Sequence, residues 1–65
     1  MPKYPKIKVK LTGQDSNAFM LLGLVVRALQ KAGIPIAEVK AFKDEATAGD
    51  YNHLLCTCMA WVNIH

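Results

Sequence analysis

Apolar residues change their spacing several times along this chain. Residues 6–12, KIKVKLT, alternate strictly, with Ile7, Val9 and Leu11 on one side and Lys6, Lys8, Lys10 and Thr12 on the other. A period of two predicts a half-buried strand, and lysines on its wet face suit a sheet edge because they discourage pairing with foreign chains. Gly13 breaks the strand, and Asp15 or Ser16 is placed to cap a following helix by accepting from its free amides. From Ala18 to Leu29 the chain reads AFMLLGLVVRAL, in which only Gly23 and Arg27 are not apolar. Four residues apart, those two share a helix face and mark a thin seam on an apolar rod. This helix is expected to run to about Ala32 and stop at Gly33, with Pro35 just beyond. Its core face is read as Phe19, Leu22, Val26 and Leu29, flanked by Leu21, Val25 and Ala28, with Met20 and Leu24 bordering the seam.

Helical spacing returns over residues 36–48, where Ile36, Val39, Phe42 and Ala46 line one side and Lys40 and Asp44 form an i, i+4 pair on the other. Gly49 ends that helix and Asp50 caps a third, in which Tyr51, Leu54, Leu55 and Cys58 point inward with Met59 nearby. Residues 61–65, WVNIH, regain alternation and read as a second strand with Val62 and Ile64 buried, pairing with residues 6–12. The expected architecture is α+β, in the order β-α-α-α-β: a small two-stranded sheet packed on three helices. Residues 1–5 read as a tail and 6–65 as a single domain, since 65 residues leave no room for a second core.

Composition sharpens this. The chain is 52% apolar, an unusually rich core for its length, or in part a surface for a partner. Its net charge of +3 is uneven: residues 1–15 carry four lysines against Asp15, while the rest balances four cations against four acids. Those acids, Glu38, Asp44, Glu45 and Asp50, cluster in residues 38–50, so the molecule has a basic end and a mildly acidic middle. The one long apolar run is too short to span a bilayer, no signal peptide is readable, and Cys56 and Cys58 are too close for an ordinary disulfide. A cytoplasmic protein with reduced, buried or semi-buried thiols and no membrane association is expected.

Candidate chemistry is sparse. His53, Cys56, Cys58 and His65 lack the paired clusters of structural zinc, and Cys56 and Cys58 point to different sides of a helix. Cys56 lies one turn after His53, yet nothing supplies an orienting group, an oxyanion hole or a large cleft. No enzyme, no metal and no cofactor is expected. Lys3, Lys6, Lys8 and Lys10, with Tyr4 as a stacking face, suggest nucleic-acid contact, against which stand a single arginine and a neutral remainder. Protein binding has more material: Met20, Leu24 and Arg27 around Gly23 form a flat, partly apolar helix surface with one cation. The acidic residues Glu38, Asp44, Glu45 and Asp50 are the second candidate surface. A homodimer on the Met20–Gly23–Leu24 face is the alternative to a monomer.

Three segments carry a resemblance: KLTGQDSNAF, RALQKAGIP and KDEATAGDYNHLLCTCMAWVNI. Their TG-x-D-x-NAF, R-x-L-x-x-AG and EATxGDYxHLL phrasing resembles that of a group of short phage, prophage and mobile-element proteins, over residues 8–64. The resemblance transfers no catalytic residue. It implies an accessory factor that acts in a bacterial host cell by occupying a protein surface, in the manner of anti-CRISPR proteins. Many of those place acidic residues where a CRISPR–Cas effector would hold nucleic acid. The expectation is therefore a non-catalytic inhibitor that occludes a host CRISPR–Cas effector complex, with Glu38, Asp44, Glu45, Asp50, Met20 and Arg27 at the interface. The alternative is a small nucleic-acid-binding or phage regulatory protein using the lysine strand.

Overall fold

A computed structural model describes residues 2–10 and 17–65. The order is β1 (Tyr4–Val9), α1 (Ala18–Lys31), α2 (Ile36–Ala46), α3 (Tyr51–Trp61) and β2 (Val62–Ile64), a small α+β fold. The expected strand residues Leu11 and Thr12, the break at Gly13 and the capping candidates Asp15 and Ser16 lie outside the described residues. β1 starts at Tyr4, inside the segment read as a tail.

The two strands come from opposite ends of the chain and pair in parallel, which the three helices between them allow by carrying the chain back across the sheet. The register pairs Tyr4 with Val62, Lys8 with Asn63 and Val9 with Ile64, with an irregularity between Tyr4 and Lys8. Pro5 sits in that irregularity and has no N–H to give to a ladder.

Helix boundaries follow local chemistry. The cap of α1 is Asn17, whose side chain accepts from the Met20 amide at 2.8 Å. At the other end Gly33 takes φ +80°, its N–H donates to the Gln30 carbonyl at 3.0 Å, and Ile34 N–H donates to Leu29 at 3.1 Å. This is the left-handed stop that glycine makes easy. α2 ends at Ala46, two residues earlier than the spacing suggested. Asp50 caps α3 as expected, accepting from the His53 amide at 2.9 Å. Trp61 belongs to α3 and not to the final strand, because the Val62 N–H still reaches back to the Cys58 carbonyl.

The core is centred on Phe42, Leu21, Leu29, Val25, Val62 and Cys58, with Val39, Ala46, Leu54, Trp61 and Val9 around them. Its makeup corrects several inward assignments. On α1 the buried stripe is Leu21, Val25 and Leu29; Leu22 and Val26 are half-buried, and Phe19 is 87% exposed. Ile36, at the first position of α2, is equally open. On α3 the buried residues are Leu54, Thr57, Cys58 and Trp61, while Tyr51, Cys56 and Met59 are exposed and Leu55 is half-buried. Thr57 is satisfied inside by donating to the His53 carbonyl at 2.8 Å.

Candidate functional site

The burial of Leu21, Val25 and Leu29 fixes the rotation of α1, and the opposite side therefore faces outward. Phe19, Gly23 and Arg27 recur at four-residue spacing along that side, and a shallow groove of about 300 Å³ lies among them with Met20 and Leu24. A second groove, about 250 Å³, runs from Phe19 and Leu22 across to Tyr51 and Leu54 of α3, so Phe19 stands between the two. Nothing among the described residues lies within 4 Å of where a Cβ on Gly23 would sit. Among the described residues, no other helix approaches Gly23. Arg27 makes no ion pair among the described residues. The surface is apolar at one end and cationic at the other.

The acidic residues are arranged differently. Glu38 Oε1 accepts from Lys3 Nζ at 2.6 Å and from the Tyr4 hydroxyl at 2.9 Å. Those two donors hold its carboxyl below the ordinary carboxylate value, and the same carboxylate raises Lys3 and Tyr4. Lys3 Nζ also lies 4.4 Å from the centre of the Trp61 ring, a cation–π contact. Glu45 Oε2 accepts from the Trp61 indole N–H at 3.0 Å. Asp44 pairs with Lys40 at 3.1 Å, and Asp50 is engaged as a helix cap. All four acids already have a partner inside the fold, and through Lys3 and Glu38 the basic end touches the acidic middle at one point.

The lysines divide. Lys3 is held by Glu38, while Lys6, Lys8 and Lys10 are exposed and form no ion pair among the described residues. Tyr4 is half-buried: its ring lies 6.0 Å from that of Trp61, tilted, and its hydroxyl is donated to Glu38. His53 places Nε2 2.8 Å from the Glu45 carbonyl oxygen. The two thiols are free; Cys56 is exposed, and burial pushes the Cys58 thiol up to about 11. Among the described residues no three His, Cys, Asp or Glu side chains group as metal ligands, and no helix is long and apolar enough to cross a membrane.

Two features escaped the sequence reading. Phe19 was legible in principle, since it precedes Gly23 by four residues and so shares the seam. The Lys3–Tyr4–Glu38–Trp61 cluster joins residues far apart in the chain, and no local pattern announces it. No family profile, no curated protein and no solved structure matches the chain.

Proposed function

We propose that this chain is a non-catalytic protein-binding module that docks through the outer face of α1. The observation that supports this reading most is Phe19, 87% exposed on a helix whose other large apolar residues are at least partly covered, beside Met20 at 40%. Leaving a phenylalanine in water forgoes roughly 1.5–3 kcal/mol of burial, and exposed aromatic and methionine side chains beside an arginine are the usual anchors of an interface. The fitting partner segment is apolar with one acidic residue for Arg27. The resemblance to phage and mobile-element proteins makes a CRISPR–Cas effector complex of the bacterial host the first partner to test. The acidic residues enter second, since each is already engaged, and only Asp44 is free of a part-buried contact or a capping role.

The test is inhibition of target cleavage by reconstituted effector complexes, with the wild type, Phe19→Ser, Arg27→Glu and Asp44→Lys. The α1 face predicts that Phe19→Ser and Arg27→Glu each lose inhibition by tenfold or more, on the order of 1.4 kcal/mol per factor of ten, while Asp44→Lys retains it. The opposite pattern transfers the interface to the acidic side. Absence of inhibition across effector types removes the anti-CRISPR role. Capture from host lysate that survives Phe19→Ser and Arg27→Glu unchanged removes the α1 face as well. Glu45→Lys is a poor probe, because it would strip the Trp61 indole of its acceptor. Nucleic-acid binding through Lys6, Lys8 and Lys10 is the second reading; it predicts a log–log salt slope of roughly −0.7 per phosphate contacted on single strands.

A further inference from the structure

The sheet has only two described strands, so β1 keeps one backbone edge that no described strand covers. Which groups lie on that edge follows from the ladder. His65 N–H donates to the Val9 carbonyl at 2.9 Å, so Val9 turns its backbone groups toward β2. Successive residues of a strand present theirs to opposite edges, and Lys8 therefore turns its N–H and C=O outward. Beside β1 lies a shallow groove of about 310 Å³ between Tyr4 and Ile7 on the strand and Ala32 and Ile34 at the α1–α2 turn. No β2 residue borders it, which places it on the outer side of β1.

We infer that this edge accepts an extended acidic peptide as a third strand. Backbone groups at Lys8 supply the ladder, and the Ile7–Ile34 groove takes apolar side chains from one face of the added strand. Lys8 and Lys10, exposed and without ion pairs among the described residues, face acids on its other side, while Lys6, equally exposed, borders the groove itself. The charge selects the occupant. A second copy of β1 would set lysine against lysine, which is destabilising across neighbouring strands. The irregularity between Tyr4 and Lys8 limits the regular outward ladder toward the N-terminus. A polyanion without a strand backbone satisfies the lysines but neither the ladder nor the groove. This site is separate from the α1 face and stands or falls independently of it.

The experiment titrates the isotope-labelled full chain with a short peptide alternating Glu and Val, with its Lys-for-Glu counterpart, and with single-stranded oligothymidine. The Glu peptide should give saturable amide shifts confined to β1 and the Ala32–Ile34 turn and slow the hydrogen exchange of the Lys8 amide; the Lys peptide should not bind. Lys8→Gln should weaken binding about two- to fivefold, as a lost cross-strand charge pair does. Lys8→Pro also deletes the outward N–H and should weaken it about tenfold. Equal affinity of Lys8→Pro and Lys8→Gln overturns strand addition, as does unchanged Lys8 exchange at saturation in the wild type. That exchange measurement decides the matter even where Lys8→Pro fails to fold. Oligothymidine binding as tightly as the Glu peptide assigns the edge to nucleic acid instead.

Discussion

An added methyl group would meet three different fates at Gly23, Gly33 and Gly49. At Gly23 it enters open space on an exposed helix face, so Gly23→Ala should stabilise the fold by about 0.5–1 kcal/mol through helix propensity alone. At Gly33 the backbone holds φ +80°, and an alanine there should cost roughly 1–2 kcal/mol. At Gly49 the methyl would sit 2.9 Å from Cβ and Cγ of His53. The His53 ring is held at the Glu45 carbonyl, so its base cannot simply swing aside, and Gly49→Ala should destabilise by on the order of 1 kcal/mol. Urea midpoints should therefore rank Gly23→Ala above the wild type and both other variants below it. A lowered midpoint for Gly23→Ala would mean that α1 packs against something on its outer face. If the α1 face binds a partner through close approach at Gly23, the same variant should gain stability and lose affinity, a split that a purely structural glycine does not produce.

Among the elements, β1 is held by apolar packing of Ile7 and Val9 on the core and by a polar clasp at and just before its start. Lys3 N–H donates to the Ala60 carbonyl at 2.8 Å, and Lys3 Nζ and the Tyr4 hydroxyl converge on Glu38. The pH dependence of this clasp has a definite sign. Glu38 is lowered from an ordinary value of 4.5, so its stabilisation is present above 4.5 and lost as pH falls through the lowered value. Tyr4 is raised from 10.0 and Lys3 from 10.5, chiefly by the hydrogen bond to Glu38; their share is present below those values and lost as pH rises through the raised ones. The gap in urea midpoint between wild type and Glu38→Gln should be widest across the neutral range, close at both ends and narrow in high salt, since the groups are partly exposed. A gap independent of pH and salt would mean that the clasp works by packing alone. The clasp was invisible in the sequence because Glu38 is more than 30 residues from Lys3 and Tyr4, whereas element order, the Gly33 stop and the Asp50 cap rest on local pattern and were readable, and the start of β1 inside the expected tail was not. The rotation of α1 was not, for a physical reason. Ten of the twelve residues from Ala18 to Leu29 are apolar, so only Gly23 and Arg27 carry phase, and Phe19 falls on their side. Ile36 follows the same logic: it shares a stripe with Lys40 and Asp44, whose ion pair faces water.

At the scale of the whole molecule, a radius of gyration of 10.7 Å matches the value of about 11 Å expected for a folded chain of this length. Such a domain keeps only about 3–5 kcal/mol of net stability. Its centre is Phe42, fully buried and edge-on to Trp61 with ring centres 5.5 Å apart. Phe42→Ala should cost about 3–5 kcal/mol, as much as the domain possesses, and leave a largely unfolded chain by circular dichroism. Phe19→Ala removes the same atoms from a side chain that is 87% exposed and should change stability by no more than about 0.5 kcal/mol. The contrast between two phenylalanines therefore reports on how the apolar surplus of the chain is divided between core and surface. Should Phe19→Ala unfold the domain as Phe42→Ala does, Phe19 is part of the core in solution and the α1 face loses its anchor. Should it fold normally and still lose a bound partner, the aromatic ring serves recognition, because a surface side chain without a stability role has no other way to affect binding so selectively.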